Sequence, residues 1–150
     1  MFKRILVPVD GSDTSNKALV AALQLAREGG GSVRVLHLLD ELAYLTGYEY
    51  SAQVLEEARD NARKVTDDAM AIAKAAGVPA DSRLLDVPGR RLGEVVADEA
   101  RDYGADLVVV GTLGRRGISR VLLGSGAEQV IRLAPVPVLA VRASEPPIKS

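Results

Sequence analysis

Residues 105–128 read ADLVVVGTLGRRGISRVLLGSGAE. Ala105–Val110 is an unbroken apolar run of strand length, the pattern of a strand buried on both faces. A glycine- and arginine-rich stretch, Gly111–Gly124, follows it, and Ser125 opens a helical pattern that continues to Ala134. Working outward from this strand–loop–helix unit, the same alternation recurs. Toward the C-terminus, Val136–Val141 is a last strand, and residues 143–150 form a polar, Pro-containing tail. Toward the N-terminus, Leu92, Val95, Val96 and Ala100 mark a helix ending at Gly104, preceded by a weaker strand, Asp81–Val87. Before that, Leu55, Ala58, Ala62, Val65, Ala69, Ile72 and Ala76 form one apolar stripe at spacings of three and four, ending at Gly77. The stripe is Ala-rich and spans only three heptads, so packing on a sheet is preferred over a coiled-coil seam. Residues 40–51 show no period and read as a long loop. Ser32–Leu39 is the second strand. Ala18, Leu19, Ala22, Leu23 and Ala26 mark the first helix, with Ser12 or Asp13 as N-cap and Gly29–Gly31 as its stop. Ile5–Val9 is the first strand. The order βαβαβαβαβ predicts a single α/β domain, a parallel sheet with helices on both faces. Ligands of such sheets bind beyond the carboxyl ends of the strands, where the strand order reverses.

The loop after Val110 carries the chemistry. Gly111, Gly114, Gly117, Gly124 and Gly126 fall within sixteen residues, and Leu107–Ala127 holds three arginines (115, 116 and 120) and no acid. Backbone N–H groups unobstructed by Cβ atoms approach phosphate oxygens closely. The helix that starts at Ser125 offers free N–H groups and the positive end of its dipole, worth roughly 0.3–1 kcal/mol toward an anion. Charge-assisted hydrogen bonds add about 1.5–3 kcal/mol each, so a few suffice for micromolar binding of a polyphosphate at about −8 kcal/mol. Ser125-Gly126-Ala127-Glu128 also fits a capping box, a role that coexists with anion binding through backbone donors. The loop is neither a Walker A motif, since no Gly-Lys-Ser/Thr occurs, nor G-x-G-x-x-G, and the first turn, DGSDTS, lacks that fingerprint as well.

Composition bounds the alternatives. One domain fits 150 residues, and a chain of this length needs no disulfide or metal to fold. Cysteine is absent, which excludes thiolate metal sites, iron–sulfur clusters and a cysteine nucleophile. With 19 Lys and Arg against 20 Asp and Glu, the net charge of −1 argues against a nucleic-acid-binding protein. Five aromatic residues (Tyr 4, Phe 1) are too few for base-stacking platforms. The first apolar run is too short for a secretory signal, and no stretch approaches the ~18 apolar residues of a membrane span. A cytoplasmic protein without membrane insertion is the expectation.

Gly111-x-x-Gly114, nine residues, then Gly124-Ser125 resembles the ATP-binding signature of the universal stress protein family. The similarity runs over about residues 2–142 and implies one nucleotide-binding domain over residues 1–142. ILVPVDGSDTSNKAL (5–19) resembles that family's first strand and turn, VRVLHLLD (33–40) its second strand, and GADLVVVGTLGRRG (104–117) with RVLLGSGAEQVIRLAPVPVLAVR (120–142) its fourth strand, glycine loop and final strand. The resemblance implies an open, Rossmann-like five-stranded parallel sheet of order 3-2-1-4-5, with a crevice between the loops after Val9 and Val110. It implies ATP with Mg or Mn as ligand. Asp10 would meet the adenine or ribose edge with the backbone of Pro8 and Val9 beside it, and Leu38 would line the adenine pocket. Gly111, Thr112, Gly114, Arg115, Arg116, Gly124, Ser125, Gly126 and Ala127 would hold the ribose and triphosphate. It also implies a homodimer through the last strand, Val136–Arg142, and signalling through an unidentified regulatory partner. Gly126 departs from that family's common Val, a change expected to loosen the helix start, and Pro88-Gly89-Arg90-Arg91 departs from its Gly-Asp-Pro turn.

No catalytic or metal-ligating residue is assigned. The phosphate loop holds no Lys, and no general base or water-positioning Gln stands out, so any hydrolysis is expected to be slow. His37, the only histidine, is expected to pack or hydrogen-bond near its strand end. Asp106 is expected to be structural, and Glu56, Glu57, Asp60, Asp67 and Asp68 to lie on a solvated helix face. Arg90 and Arg91 form a second basic spot without an assigned role. Three other functions compete. One is an enzyme cleaving ATP to AMP and pyrophosphate, since DGSDTS faintly resembles the loop of ATP pyrophosphatases but lacks its paired glycines. Another is a phospho-receiver, for which Asp10 and Asp86 supply part of the acidic set while Arg142 replaces the required Lys. The last is a dimeric interaction module with an empty crevice.

Overall fold

The computed structural model describes residues 2–39, 52–87, 89–112 and 125–142. The elements run β1 (Arg4–Pro8), α1 (Asp13–Gly29), β2 (Ser32–Leu39), α2 (Ala52–Ala76), β3 (Ala80–Asp86), α3 (Leu92–Tyr103), β4 (Leu107–Gly111), α4 (Ser125–Leu133) and β5 (Val138–Val141). The five strands form one sheet of order β3-β2-β1-β4-β5, and every pairing is parallel. The chain reverses its direction of travel between β3 and β4, so β1 and β4 are neighbours whose connections lead to opposite faces. The expected loop 40–51, the tail 143–150 and most of the glycine loop lie outside the described residues.

Alternation along each strand builds two cores. Ile5, Val7, Val9, Val33, Val35, Leu107 and Val109 face α1 and α2. Leu6, Leu36, Val108 and Val110 face α3 and α4. The apolar stripe of α2 packs on the sheet: Ala58 and Ala62 meet Leu39 and Leu84, and Ala69 and Ala73 join the α1 side. Small residues let this helix lie close, and the acids Glu56, Glu57, Asp60, Asp67 and Asp68 are all exposed.

Caps set the ends. Ser12, rather than Asp13, is the N-cap of α1; its side chain accepts from the Ser15 N–H, and Gly30, in the left-handed region, closes the C-terminus. Strand limits differ from the sequence reading by one or two residues. β1 is Arg4–Pro8 instead of 5–9: its last paired residue is Pro8, opposite Leu36, and the Val9 N–H closes the ladder by donating to Leu36 O at 2.8 Å. β5 starts at Val138 because Pro137 has no N–H to give, while its carbonyl accepts from Val108 at 3.0 Å.

Because every strand is parallel, every helix runs the opposite way. All the helix N-termini stand at the carboxyl end of the sheet and all the C-termini at its amino end. Cations cover three of those C-termini: Lys3 Nζ donates to Gly29 O, Arg27 Nη2 to Ala76 O at 2.9 Å and Arg4 Nε to Tyr103 O at 2.7 Å. Asp106 is structural as expected, its carboxylate accepting from the backbone of Lys3 at 2.8 Å and Arg4 at 3.1 Å.

Candidate functional site

The carboxyl end of the sheet is built from the turn after β1 and the end of β4. Asp10 Oδ1 accepts from the Ser12 N–H at 2.9 Å, and the Asp10 N–H donates to Ser15 Oγ at 3.3 Å. Ser15 Oγ donates to Ser12 O at 3.1 Å, and Gly11 takes φ +83° to close the turn. One carboxylate oxygen therefore organises the turn, while Oδ2 has no hydrogen bond among the described residues. Both backbone groups of Val9 have a partner: its N–H goes to Leu36 O, and its carbonyl accepts from His37 Nδ1 at 2.7 Å. A carbonyl only accepts, so Nδ1 bears the proton of this bond. His37 thus ties the end of β2 to the end of β1, the hydrogen-bonding role expected of it. Any contact of a ligand with Val9 would have to share groups already in use.

Across the crevice, Gly111 lies so near α1 that a Cβ there would stand 2.8 Å from Thr14 O and Thr14 Cγ2. Glycine at 111 is thus a packing requirement, quite apart from any ligand. Thr112 is buried, and its N–H donates to Val141 O at 3.0 Å. The structure brings Pro8, Val9 and Asp10 together with Gly111 and Thr112 at the ends of adjacent strands. Leu38 sits half-buried on the opposite face of the sheet from Val9, packed against the core under α3 and α4.

The other half of the expected site is the start of α4. Gly126 meets the start of α3, where a Cβ would approach Leu92 Cδ2 to 2.9 Å. The glycine that departs from the common Val therefore admits a neighbouring helix. Ala127 is buried in the core, so only its backbone N–H is available to a ligand. Gly93 draws the same two helices together, with its N–H donating to Gln129 Oε1 at 3.2 Å. Ser125 is described only as the first residue of α4, and Gly114, Arg115, Arg116 and Gly124 lie outside the described residues. Glu128, expected in a capping box, pairs with Arg132 at 3.0 Å.

Among the described residues no group of three or more His, Asp or Glu could hold a metal ion, and no helix is long and apolar enough to cross a membrane. Sequence reasoning missed the contact of Thr14 with Gly111 and the seam between α3 and α4. The small residues at Gly93 and Gly126, each near a helix start, were the available signal for the seam.

Residues 1–142 match the family model described as Universal stress protein family. A universal stress protein of Thermus aquaticus is 35% identical over 142 residues, covering 95% of this chain and 100% of that protein. Among solved structures, a universal stress protein in complex with cAMP is 27% identical with a TM-score of 0.71, covering 95% of this chain and 99% of the other. One from Archaeoglobus fulgidus in complex with dAMP is 26% identical with a TM-score of 0.69, covering 93% and 97%.

Proposed function

The chain belongs to the universal stress protein family, and from that premise we propose that it is an ATP-binding regulatory protein. The nucleotide lies in the crevice at the carboxyl ends of β1 and β4, adenosine toward Asp10 and Leu38 and phosphates on the loop Gly111–Ser125 and the start of α4. The observation that carries this reading is the convergence of the Asp10 turn, Gly111 and the helix N-termini at one end of a sheet shared with relatives solved with cAMP and dAMP. Free N–H groups and aligned dipoles at that end favour an anion. Mg or Mn would enter with the phosphates, which would supply part of its oxygen ligands. Hydrolysis is slow at most.

Two copies pair through Val136–Arg142. The exposed Leu139 of the edge strand β5, with Ile131 and Leu133 exposed on α4, supports that edge as the contact. The protein acts in the cytoplasm through a regulatory partner that reads the loaded state.

Calorimetric titration with ATP, AMP and cAMP in the presence of Mg tests the reading. Saturable binding with ATP preferred is expected. A preference for AMP or cAMP keeps the crevice and changes its specificity. Absence of binding by all three favours a dimeric interaction module with an empty crevice, and appearance of AMP with pyrophosphate from ATP would make the chain an enzyme.

A further inference from the structure

Nine of the eleven arginines among the described residues have a partner for the guanidinium or lie in an interaction with the surrounding chain. Arg91 and Arg142 have none among the described residues, and both stand at the carboxyl end of the sheet. Arg91 is the more informative. It is the N-cap residue of α3, in an extended conformation (φ −82°, ψ 150°), with its side chain exposed. Its backbone N–H donates to Glu94 Oε1 at 3.1 Å, so the helix start is capped without its side chain. Arg90, one residue away, is held by Asp98 at 2.8 Å.

The α3–α4 seam fixes where Arg91 stands. Leu92 touches the position of Gly126, and Gly93 is hydrogen-bonded to Gln129. Arg91 immediately precedes Leu92, and Ser125 immediately precedes Gly126. The unpaired guanidinium is therefore carried at the rim of the helix start proposed above to receive phosphates. A guanidinium there is suited to bidentate contact with phosphate oxygens.

We propose that Arg91 is a specificity-determining residue of the nucleotide site, one that binds the outer phosphates of a nucleoside triphosphate and makes no contact with a monophosphate. The proposal rests on the nucleotide-binding reading and adds to it the phosphate length that the site selects. In the placement proposed above the phosphate chain runs onto the start of α4, whose Gly126 meets Leu92 beside Arg91, so a longer phosphate chain has more phosphate oxygens on that side of the crevice.

The test is titration of the wild type, Arg91→Gln, Arg91→Lys and Arg90→Gln with ATP and with AMP in Mg. Arg91→Gln is expected to weaken ATP at least tenfold and AMP less than twofold. Arg91→Lys recovers part of the ATP affinity, because it restores charge without the planar fork. Arg90→Gln leaves both within twofold. An Arg91→Gln protein that binds ATP as the wild type does, or that loses ATP and AMP equally, overturns the proposal while the nucleotide reading stands. A wild type that binds neither nucleotide overturns both. The melting temperature of Arg91→Gln, expected to match the wild type because its cap is made by the backbone, separates lost contact from lost fold.

Discussion

The two ends of the sheet are opposites. At the amino end, charges are paired with one another. Arg34 forms a two-pronged contact with Asp81 at 2.9 and 2.8 Å, reaches Glu99 at 3.6 Å and lies over the Tyr103 ring at 4.3 Å. Arg4 lies over the same ring at 4.1 Å, and Arg83 reaches the other side of Glu99 at 3.2 Å. At the carboxyl end Arg90 is paired with Asp98 at 2.8 Å and Arg59 reaches Asp86 at 3.9 Å, but among the described residues Asp10 keeps an oxygen without a hydrogen bond and Arg91 has no partner. The physical cause of the asymmetry is the parallel topology. It collects helix C-termini at one end, where cations and their counter-charges settle, and helix N-termini at the other, where the dipoles favour an anion. Substitutions at the amino end should therefore move stability, and those at the carboxyl end should move binding.

The largest expected effect is at the amino end. Arg34→Met removes the guanidinium shared by Asp81 and Glu99. Glu99 is 95% buried as a side chain, and its Oε2 has no hydrogen bond. Stripping one partner from a buried ion pair costs about 3–5 kcal/mol. Arg83 stays with Glu99, so the lower bound of about 3 kcal/mol applies, or roughly 6–12 °C in melting temperature. Nucleotide affinity of the folded fraction should be unchanged. A change in affinity larger than the change in folded fraction would break the division between the ends.

Gly111→Ala is expected to come next and to cross the division. The added methyl would press on the carbonyl of Thr14, a backbone atom that a change of side chain does not move. Overpacking of this kind costs about 1–3 kcal/mol, and roughly 2 kcal/mol corresponds to about 4–8 °C by thermal melting. Binding should weaken as well, since β4 and the Asp10 turn are pushed apart. Thr14→Ser in the same chain should restore only a small part, because it removes Cγ2 and leaves the carbonyl. Full rescue by serine would show that the side chain, and not the backbone, sets the approach.

These contrasts bear on what a sequence discloses. The topology was legible because it rests on short-range signals: apolar runs such as Leu107–Val110, caps such as Ser12, and glycine stops at Gly30, Gly77 and Gly104. The strand order followed from the family resemblance, and the pairings agree with it. Of the expected site residues, Asp10, Gly111 and Thr112 lie at the carboxyl ends of the adjacent strands β1 and β4, where the strand order implied by the resemblance puts them. The second purpose of Gly111 was not legible, because a close approach between residues 14 and 111 is a tertiary fact with no local pattern. The Arg34–Asp81–Glu99–Arg83 network was hidden for the same reason. Arg34 and Arg83 look like ordinary polar positions in alternating strands, and Glu99 occupies a buried helix position where an apolar residue would be the usual choice. Arg91 drew notice only as half of a basic spot. Its difference from Arg90 depends on Asp98 reaching one arginine and not the other.

The smallest expected effect sharpens the description of the amino end through pH. Hydrogen bonding and proximity to Arg34 lower the Asp81 carboxyl below its ordinary value against an opposing effect of burial, with Arg4 and Arg83 adding to the lowering. A carboxylate whose acidity is strengthened in the folded state binds fewer protons there than in the unfolded chain. Its contribution to stability is therefore complete above the unfolded value of about 3.9 and is lost as pH falls through the lower folded value. The Asp81 side chain is 53% exposed, so solvent screening limits the contribution to about 1 kcal/mol or less. Asp81→Asn should lower stability slightly at neutral pH and converge with the wild type in acid, because the wild type has by then lost the same interaction. Denaturant melts of both proteins between pH 7 and pH 2 measure the difference. Parallel curves at every pH would mean that Arg34 holds Glu99 and Tyr103 without help from Asp81, leaving the buried carboxylate alone as the anchor of that end.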